Sequence, residues 1–291
     1  MRRRAALAAA LALALAGALA LTGLLAAGSG GAEHRADFDG PGAYRLVTRL
    51  LGYGPRPAGS AAEGRVADLL RHLLPDAGFE PVPGGLRNVV GGLAGRQPAI
   101  VVAAHYDTTP VPGYLGANNS TAGVAAVVEI ARALRGDGSR PGQRAVRFAF
   151  FDGEEAPAGF TDFYTQGLRG SRAYLAAHRA TTRELVLLDF IANRDLRIPR
   201  EAGSDPALWA RLRTAAAAAG AGRAFPRAAA PEILDDHTPF RRAGVPAIDL
   251  IDFDYPCWQK TCDTLAEISR AGLDASGRAV LALVRGERAR P

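Results

Sequence analysis

Apolar positions recur along this chain with two alternating spacings, and the alternation outlines a fold. Residues 44–51 (Tyr44-Arg-Leu-Val-Thr-Arg-Leu-Leu51) have helical spacing, ended by Gly52, Gly54, Pro55 and Pro57. Residues 61–74 repeat it, with Ser60 placed to cap the start and Pro75 and Gly78 to close the end. Residues 86–93 and 99–104 are short apolar runs separated by Gly95 and Pro98, which reads as two strands. The pattern then predicts a helix over 121–134, a strand over 146–151 and a helix over 170–178. It continues with an apolar strand over 185–189, a helix over 205–219, a strand over 247–251 and a closing helix over 271–284. Strands alternating with helices of this length predict the α/β class: a three-layer αβα sandwich with a mostly parallel central sheet.

The first residues obey a different rule. Arg2-Arg3-Arg4 precede an uncharged Leu/Ala-rich run that extends to about Ala27. A basic start before an apolar run is the mark of an export signal, and this run is also long enough to span a bilayer. Residues 1–28 are therefore expected to be a signal peptide or an N-terminal membrane anchor. Residues 29–40 read as a linker and 41–291 as the folded domain. Arginines before the apolar run send the rest of the chain outward, so the protein is expected to be secreted or anchored facing the extracytoplasmic side. Any membrane contact would run through that segment alone. Without the three arginines the formal charge falls from +6 to +3. The remaining basic residues are scattered arginines with no aromatic-rich patch, which argues against nucleic acid as a partner. The two cysteines, Cys257 and Cys262, permit a local disulfide in an oxidising compartment or two free thiols.

The chemistry gathers at strand ends. His105-Tyr106-Asp107 closes one predicted strand and Asp152-Gly153-Glu154-Glu155 closes another. In an open α/β sheet the carboxyl ends of parallel strands face one crevice, so an imidazole and several carboxylates are expected to converge. Such a set suits a metal ion and a general base. Asp189 ends an apolar strand, where a charge needs a partner. Asp235 and Asp236 precede His237-Thr-Pro-Phe240 and would either join the site or cap a helix. Lys260, the only lysine, directly follows Gln259 and would either neutralise the acidic cluster in place of a metal or sit in solvent.

From about Tyr44 to its end the chain resembles the glutaminyl-peptide cyclotransferases and the zinc aminopeptidases of the same, zinc-exopeptidase-like fold. The resemblance rests on Gly54-Pro-Arg-Pro-Ala-Gly-Ser60, His105-Tyr-Asp107, Gly116-Ala-Asn-Asn119, Phe150-Phe-Asp-Gly-Glu-Glu155, Gly170-Ser-Arg172 and Leu185-Val-Leu-Leu-Asp189. Asp235-Asp-His237-Thr-Pro-Phe240, Gly244-Val-Pro246 and Tyr255-Pro-Cys-Trp258 complete the series. It implies zinc held at Asn119, Glu155 and Gln259, where the cyclases have Asp, Glu and His; His105 and Asp189 match further ligand positions of two-zinc relatives. Two of the three cyclase ligands are thus replaced by amides, and amide oxygens suit harder cations than zinc. The resemblance further implies Glu154 as general base and acid, Asp189 and Asp235 as the carboxylates steering its proton, and Trp258 lining the substrate pocket. A histidine of the cyclases is replaced by Asp249. Asp107 is expected to orient His105 by a hydrogen bond.

The implied activity is conversion of an N-terminal glutamine to pyroglutamate with release of ammonia, on peptide or protein N-termini as substrate. A metal-dependent aminopeptidase is the nearer alternative. The third reading is a metal-poor, non-catalytic relative that binds peptide termini, suggested by Asn119 and Gln259.

Overall fold

The computed structural model describes residues 37–290. Helix α1 (Gly40–Leu51) and helix α2 (Ala61–Leu73) lead into strands β1 (Gly78–Val82), β2 (Leu86–Leu93) and β3 (Arg96–His105). A tight π-type turn, Ala117–Ala122, opens α3 (Gly123–Gly136), and β4 (Arg144–Phe151) comes next. Then come α4 (Phe163–Gln166), α5 (Arg169–His178), β5 (Thr182–Leu188) and the two-residue strand β6 (Arg200–Glu201). The chain ends with α6 (Pro206–Ala218), β7 (Ala229–Ala230), α7 (Thr238–Arg242), β8 (Ala247–Leu250) and α8 (Arg270–Ala289).

The main sheet runs β1-β2-β4-β3-β5-β8. Strands β4, β3, β5 and β8 are parallel, while β1 and β2 add an antiparallel edge. From Ala99 to His105 every residue of β3 is buried, as expected of a central strand covered on both faces. Helices α1, α2, α3, α6 and α8 supply the larger apolar core on one face, and α5 and α7 the smaller one on the other. The αβα sandwich expected from the sequence is the fold observed. Strand register then aligns the ends: His105 pairs with Phe151, and Leu188 with Leu250. All four parallel strands therefore release their chains at the same rim.

Several boundaries move for identifiable reasons. Helix α1 begins at Gly40 rather than 44, because the Asp39 carboxylate accepts the Gly42 N–H at 2.8 Å and Pro41 suits a first turn. Residues 37–39, expected at the end of a linker, lie against the domain instead. Phe38 is buried, and its ring packs so close to Gly277 that a side chain there would collide with it. Ser60 caps α2 as expected, its Oγ accepting the Glu63 N–H at 3.1 Å. Strand β1 is absent from the sequence pattern, since Gly78-Phe-Glu-Pro-Val82 carries a proline that only an edge strand tolerates. The expected signal peptide or anchor, and the linker up to residue 36, lie outside the described residues. Among the described residues no helix is long and apolar enough to cross a membrane.

Candidate active site

At the rim of the parallel strands His105 is 1 % exposed and contacts acids from three directions. Its Nδ1 lies 3.3 Å from Asp107 Oδ1 and 3.8 Å from Glu154 Oε2, while its Nε2 lies 3.7 Å from Asp189 Oδ1. Burial opposes a charge on this ring. The Glu154 charge, the Asp107 hydrogen bond and Asp189 outweigh burial and hold it well above the ordinary imidazole value. Asp107 does more than orient the histidine. Its two oxygens accept the backbone N–H groups of Glu154 at 3.2 Å and Glu155 at 3.1 Å, which fixes the loop leaving β4.

Asn119 stands between His105 and Glu155. Its Oδ1 accepts from His105 Nε2 at 2.6 Å, and its Nδ2 donates to Glu155 Oε1 at 2.9 Å. The same Glu155 oxygen accepts a second N–H from Gln259 Nε2 at 3.2 Å. The backbone beneath is held from elsewhere: Asp263 accepts the N–H of Asn118 at 2.8 Å and of Asn119 at 3.0 Å, and the Tyr255 hydroxyl donates to the same carboxylate at 2.6 Å. Arg56 is buried and supports the adjoining segments, donating to the carbonyls of Gly54, Tyr106 and Leu115 and to Thr121 Oγ1.

A carboxyl cluster borders this network. Burial, opposed by His105 and reinforced by Glu155, Asp235 and Asp236, keeps Glu154 well above the usual carboxyl range. Asp189 is raised by burial against the pull of His105. Burial and the Asp189 charge push Asp235 up to about 6, so it joins the electrostatics of the site rather than serving as a remote cap. Asp236 and Asp249 are raised well above their ordinary value, first by burial and then by Asp235. Neither oxygen of Asp236 or Asp249 makes a hydrogen bond of ordinary geometry to a described residue. His237 lies 3.1 Å from Glu201 Oε1 and 3.8 Å from Asp249 Oδ2. Burial pushes Glu201 up, but its pairing with His237 outweighs burial and leaves it below its ordinary value.

Aromatic rings follow Asp189 and precede Gln259 in the chain. Trp258 stacks on Phe190 with ring centres 4.3 Å apart and lies 5.7 Å from Phe253. Cys257 and Cys262 form a disulfide that closes the loop carrying Gln259. Lys260 does not neutralise the acids: its Nζ donates to the Pro256 carbonyl at 3.0 Å on the exposed surface.

The model of peptidase family M28 matches residues 88–284. The chain belongs to peptidase family M28. A glutaminyl cyclase from an Acidobacteriales bacterium superposes with a TM-score of 0.77 at 27 % identity, covering 90 % of this chain and 99 % of that one. A glutaminyl cyclase from Fimbriiglobus ruber gives a TM-score of 0.70 at 26 % identity, covering 85 % and 95 %. A Zn-dependent exopeptidase from Parabacteroides distasonis shares the fold, with a TM-score of 0.75 at 24 % identity over 88 % and 100 % of the two chains.

In this M28 chain the residues at the expected zinc positions do not fit the ion. Zinc needs donor lone pairs aimed at one point. Here Asn119 turns its amide N–H, not its oxygen, toward Glu155, and Gln259 does the same. The Asn119 oxygen is taken by His105 Nε2. A regrouped set of His105, Asp189 and Glu155 would offer one nitrogen and two oxygens, but it fails as well, because Asn119 lies between the imidazole and Glu155. Among the described residues no group of three His, Cys, Asp or Glu side chains is placed to share a metal ion. Sequence reasoning gave no role to Asp263, Glu201, His237 or Arg56. His237 and Arg56 lie inside the matching segments, a signal that was available. Glu201, in a two-residue strand, and Asp263 carry none.

Proposed function

We propose that this M28 chain receives the free N-terminus of a peptide in the crevice between the carboxyl cluster and Trp258, and that Glu154 moves a proton there. The reaction that best suits this arrangement is cyclisation of an N-terminal glutamine. The α-amine nitrogen bonds to the γ-carbonyl carbon, the bond from that carbon to the amide nitrogen breaks, and ammonia leaves. Glu154 takes the proton from the amine and returns it to the departing nitrogen. The observation that carries this reading is Glu154, a carboxyl buried at the rim 3.8 Å from the His105 imidazole and held above its usual range by burial and by Glu155, Asp235 and Asp236. Asp189 and Asp235 border it and offer carboxyl oxygens to a cationic amine. Trp258, stacked with Phe190 and Phe253, offers part of an apolar surface for the side chain of the next residue.

Similarity to two glutaminyl cyclases above 25 % identity supports this choice over aminopeptidase chemistry. Aminopeptidase hydrolysis with two metals needs a bridging carboxylate at 119, and an amide is a poor one. A second reading, a non-catalytic binder of peptide termini, is favoured by the amide pairing of Glu155. Incubation with a Gln-initiated peptide separates the readings. Ammonia release supports cyclisation, free amino acid release supports a peptidase, and saturable binding with neither product supports the binder. We further propose that residues 1–28 export the domain and leave it secreted or anchored on the extracytoplasmic side. Retention of the full chain in the cytoplasmic fraction would refute this.

A further inference from the structure

The amides at 119 and 259 have a consequence that does not depend on which substrate the crevice takes. We infer that the hydrogen-bonded chain His105–Asn119–Glu155–Gln259 occupies the place of a zinc ion, so the protein is complete without one, yet two side chains away from binding it.

The orientation of Asn119 comes first. With Nδ2 on Glu155 and Oδ1 on His105, both ends of the amide are satisfied. Reversing it would set an amide oxygen against a carboxylate and an NH2 against an imidazole that then has to give up its proton. The same pairing forces His105 Nε2 to carry hydrogen, so that nitrogen has no lone pair for a metal. Glu155 Oε1 is likewise committed to two N–H donors. The Asn119 oxygen, His105 Nε2 and Glu155 Oε1 are thus each turned toward a neighbour rather than toward a shared point.

The second point concerns backbone. Asp263 fixes the main chain at Asn118 and Asn119 through two N–H groups, independently of either side chain. The Asn118 Oδ1 accepts from the Ala192 N–H at 2.8 Å and ties that turn to the segment just beyond β5. Gln259 sits in the disulfide-closed loop beside the stacked Trp258. Its φ of 52° is a left-handed conformation in which histidine is well tolerated. Side chains substituted at these two positions therefore start from anchored backbone.

The substitutions that restore ionic donors are Asn119→Asp and Gln259→His. In the double variant Glu155 loses both N–H donors and gains a carboxylate neighbour, an arrangement that repels itself unless a cation lies between the groups. Zinc should then be retained and should stabilise the fold.

Zinc content and thermal melting of the full chain, purified without chelator, test this. The wild type is expected to carry far less than one zinc per chain, and its Tm should not respond to zinc or to EDTA. The double variant is expected to carry close to one zinc per chain, with a Tm that rises by roughly 5–10 °C in excess zinc and falls back in EDTA. Stoichiometric zinc in the wild type, or a wild-type Tm lowered by EDTA, overturns the inference. A folded double variant indifferent to zinc also overturns it, since the network would then not stand where the ion belongs. If the double variant does not fold, Gln259→His, at an exposed position, and Asn119→Asp decide singly: each should stay well below one zinc per chain, since two changes are required, and stoichiometric zinc in either overturns the inference.

Discussion

Two neighbouring regions of the rim treat their buried polar groups in opposite ways. Around Glu155, Asn119 uses both ends of its amide and one carboxylate oxygen accepts two N–H donors. Beside it, the carboxyl oxygens of Asp236 and Asp249 and the Nδ1 of His237 are buried without a hydrogen bond of ordinary geometry to a described residue. The first region is quiet in that its amide groups are paired. The second keeps acids crowded in a low dielectric, and such crowding costs stability unless protons are shared or a cation arrives. A chain relaxing toward a mere scaffold would be expected to lose the costly region first. Here amides stand at the metal position while the acids beside Glu154 are present, which favours the proposed proton transfer or amine binding over metal chemistry in the crevice.

The largest effect that bears on this contrast is Glu154→Gln. If the acid cluster serves Glu154, the variant loses ammonia release from a Gln-initiated peptide by roughly 10²–10⁴-fold. Its Tm should stay level or rise, because an amide cannot add a charge to the crowded cluster. Unchanged turnover would take Glu154 out of the chemistry and leave the cluster unexplained.

The next effect is on pH. Asp235 is pushed from 3.8 to about 6. As pH rises through that window the unfolded chain releases its proton before the folded chain does. The stability contribution is therefore fully present below 3.8 and is lost once pH passes about 6, on the order of 3 kcal/mol for this group. Asp236, Asp249 and Glu154 are raised and act in the same direction, as does His105, whose favourable proton is lost only as pH climbs through its raised value. Glu201, lowered, acts in the opposite sense and matters only toward acid. Denaturant midpoints should be higher at pH 5 than at pH 8, and Asp249→Asn should flatten the difference. A midpoint that is level or higher at pH 8 would show that the acids are not crowded in the folded state.

Distance along the chain decides what could be read before the fold was known. The strand-end motifs were legible because each sits at the end of an apolar run, and parallel strands must deliver such ends to one rim. His105, Glu154, Glu155 and Asp189 meet there. The partners that decide the chemistry were not legible, because they are distant in the chain. Asp263 reaches Asn119 across 144 residues and Gln259 reaches Glu155 across 104. Spacing along the chain could show that ligands had been replaced by amides. Only the folded arrangement shows that the amides point their N–H groups at Glu155.

Within the quiet region, Asn119→Ala should cost about 2 kcal/mol. It strips an acceptor from the buried His105 Nε2 and a donor from Glu155, and unpaired buried groups cost about 1–3 kcal/mol each before the site relaxes. Urea denaturation at pH 7 measures it. A cost near zero would mean that the network is incidental, and the contrast with the acid cluster would lose one side.

Gln259→Ala is the mildest probe and the most discriminating for geometry. Gln259 is exposed and supplies one N–H at 3.2 Å, the longer of the two bonds to Glu155 Oε1, so its loss should cost only about 0.5–1.5 kcal/mol. Burial already raises the Glu155 carboxyl, and the Gln259 hydrogen bond is one of the influences that hold it down. With that donor gone, Glu155 keeps only Asn119 and should move further above the ordinary range. The variant should therefore lose more stability at pH 8 than at pH 5. An equal loss at both pH values would indicate that Glu155 is already protonated in the folded chain, and that the amides pair with a neutral acid rather than a carboxylate.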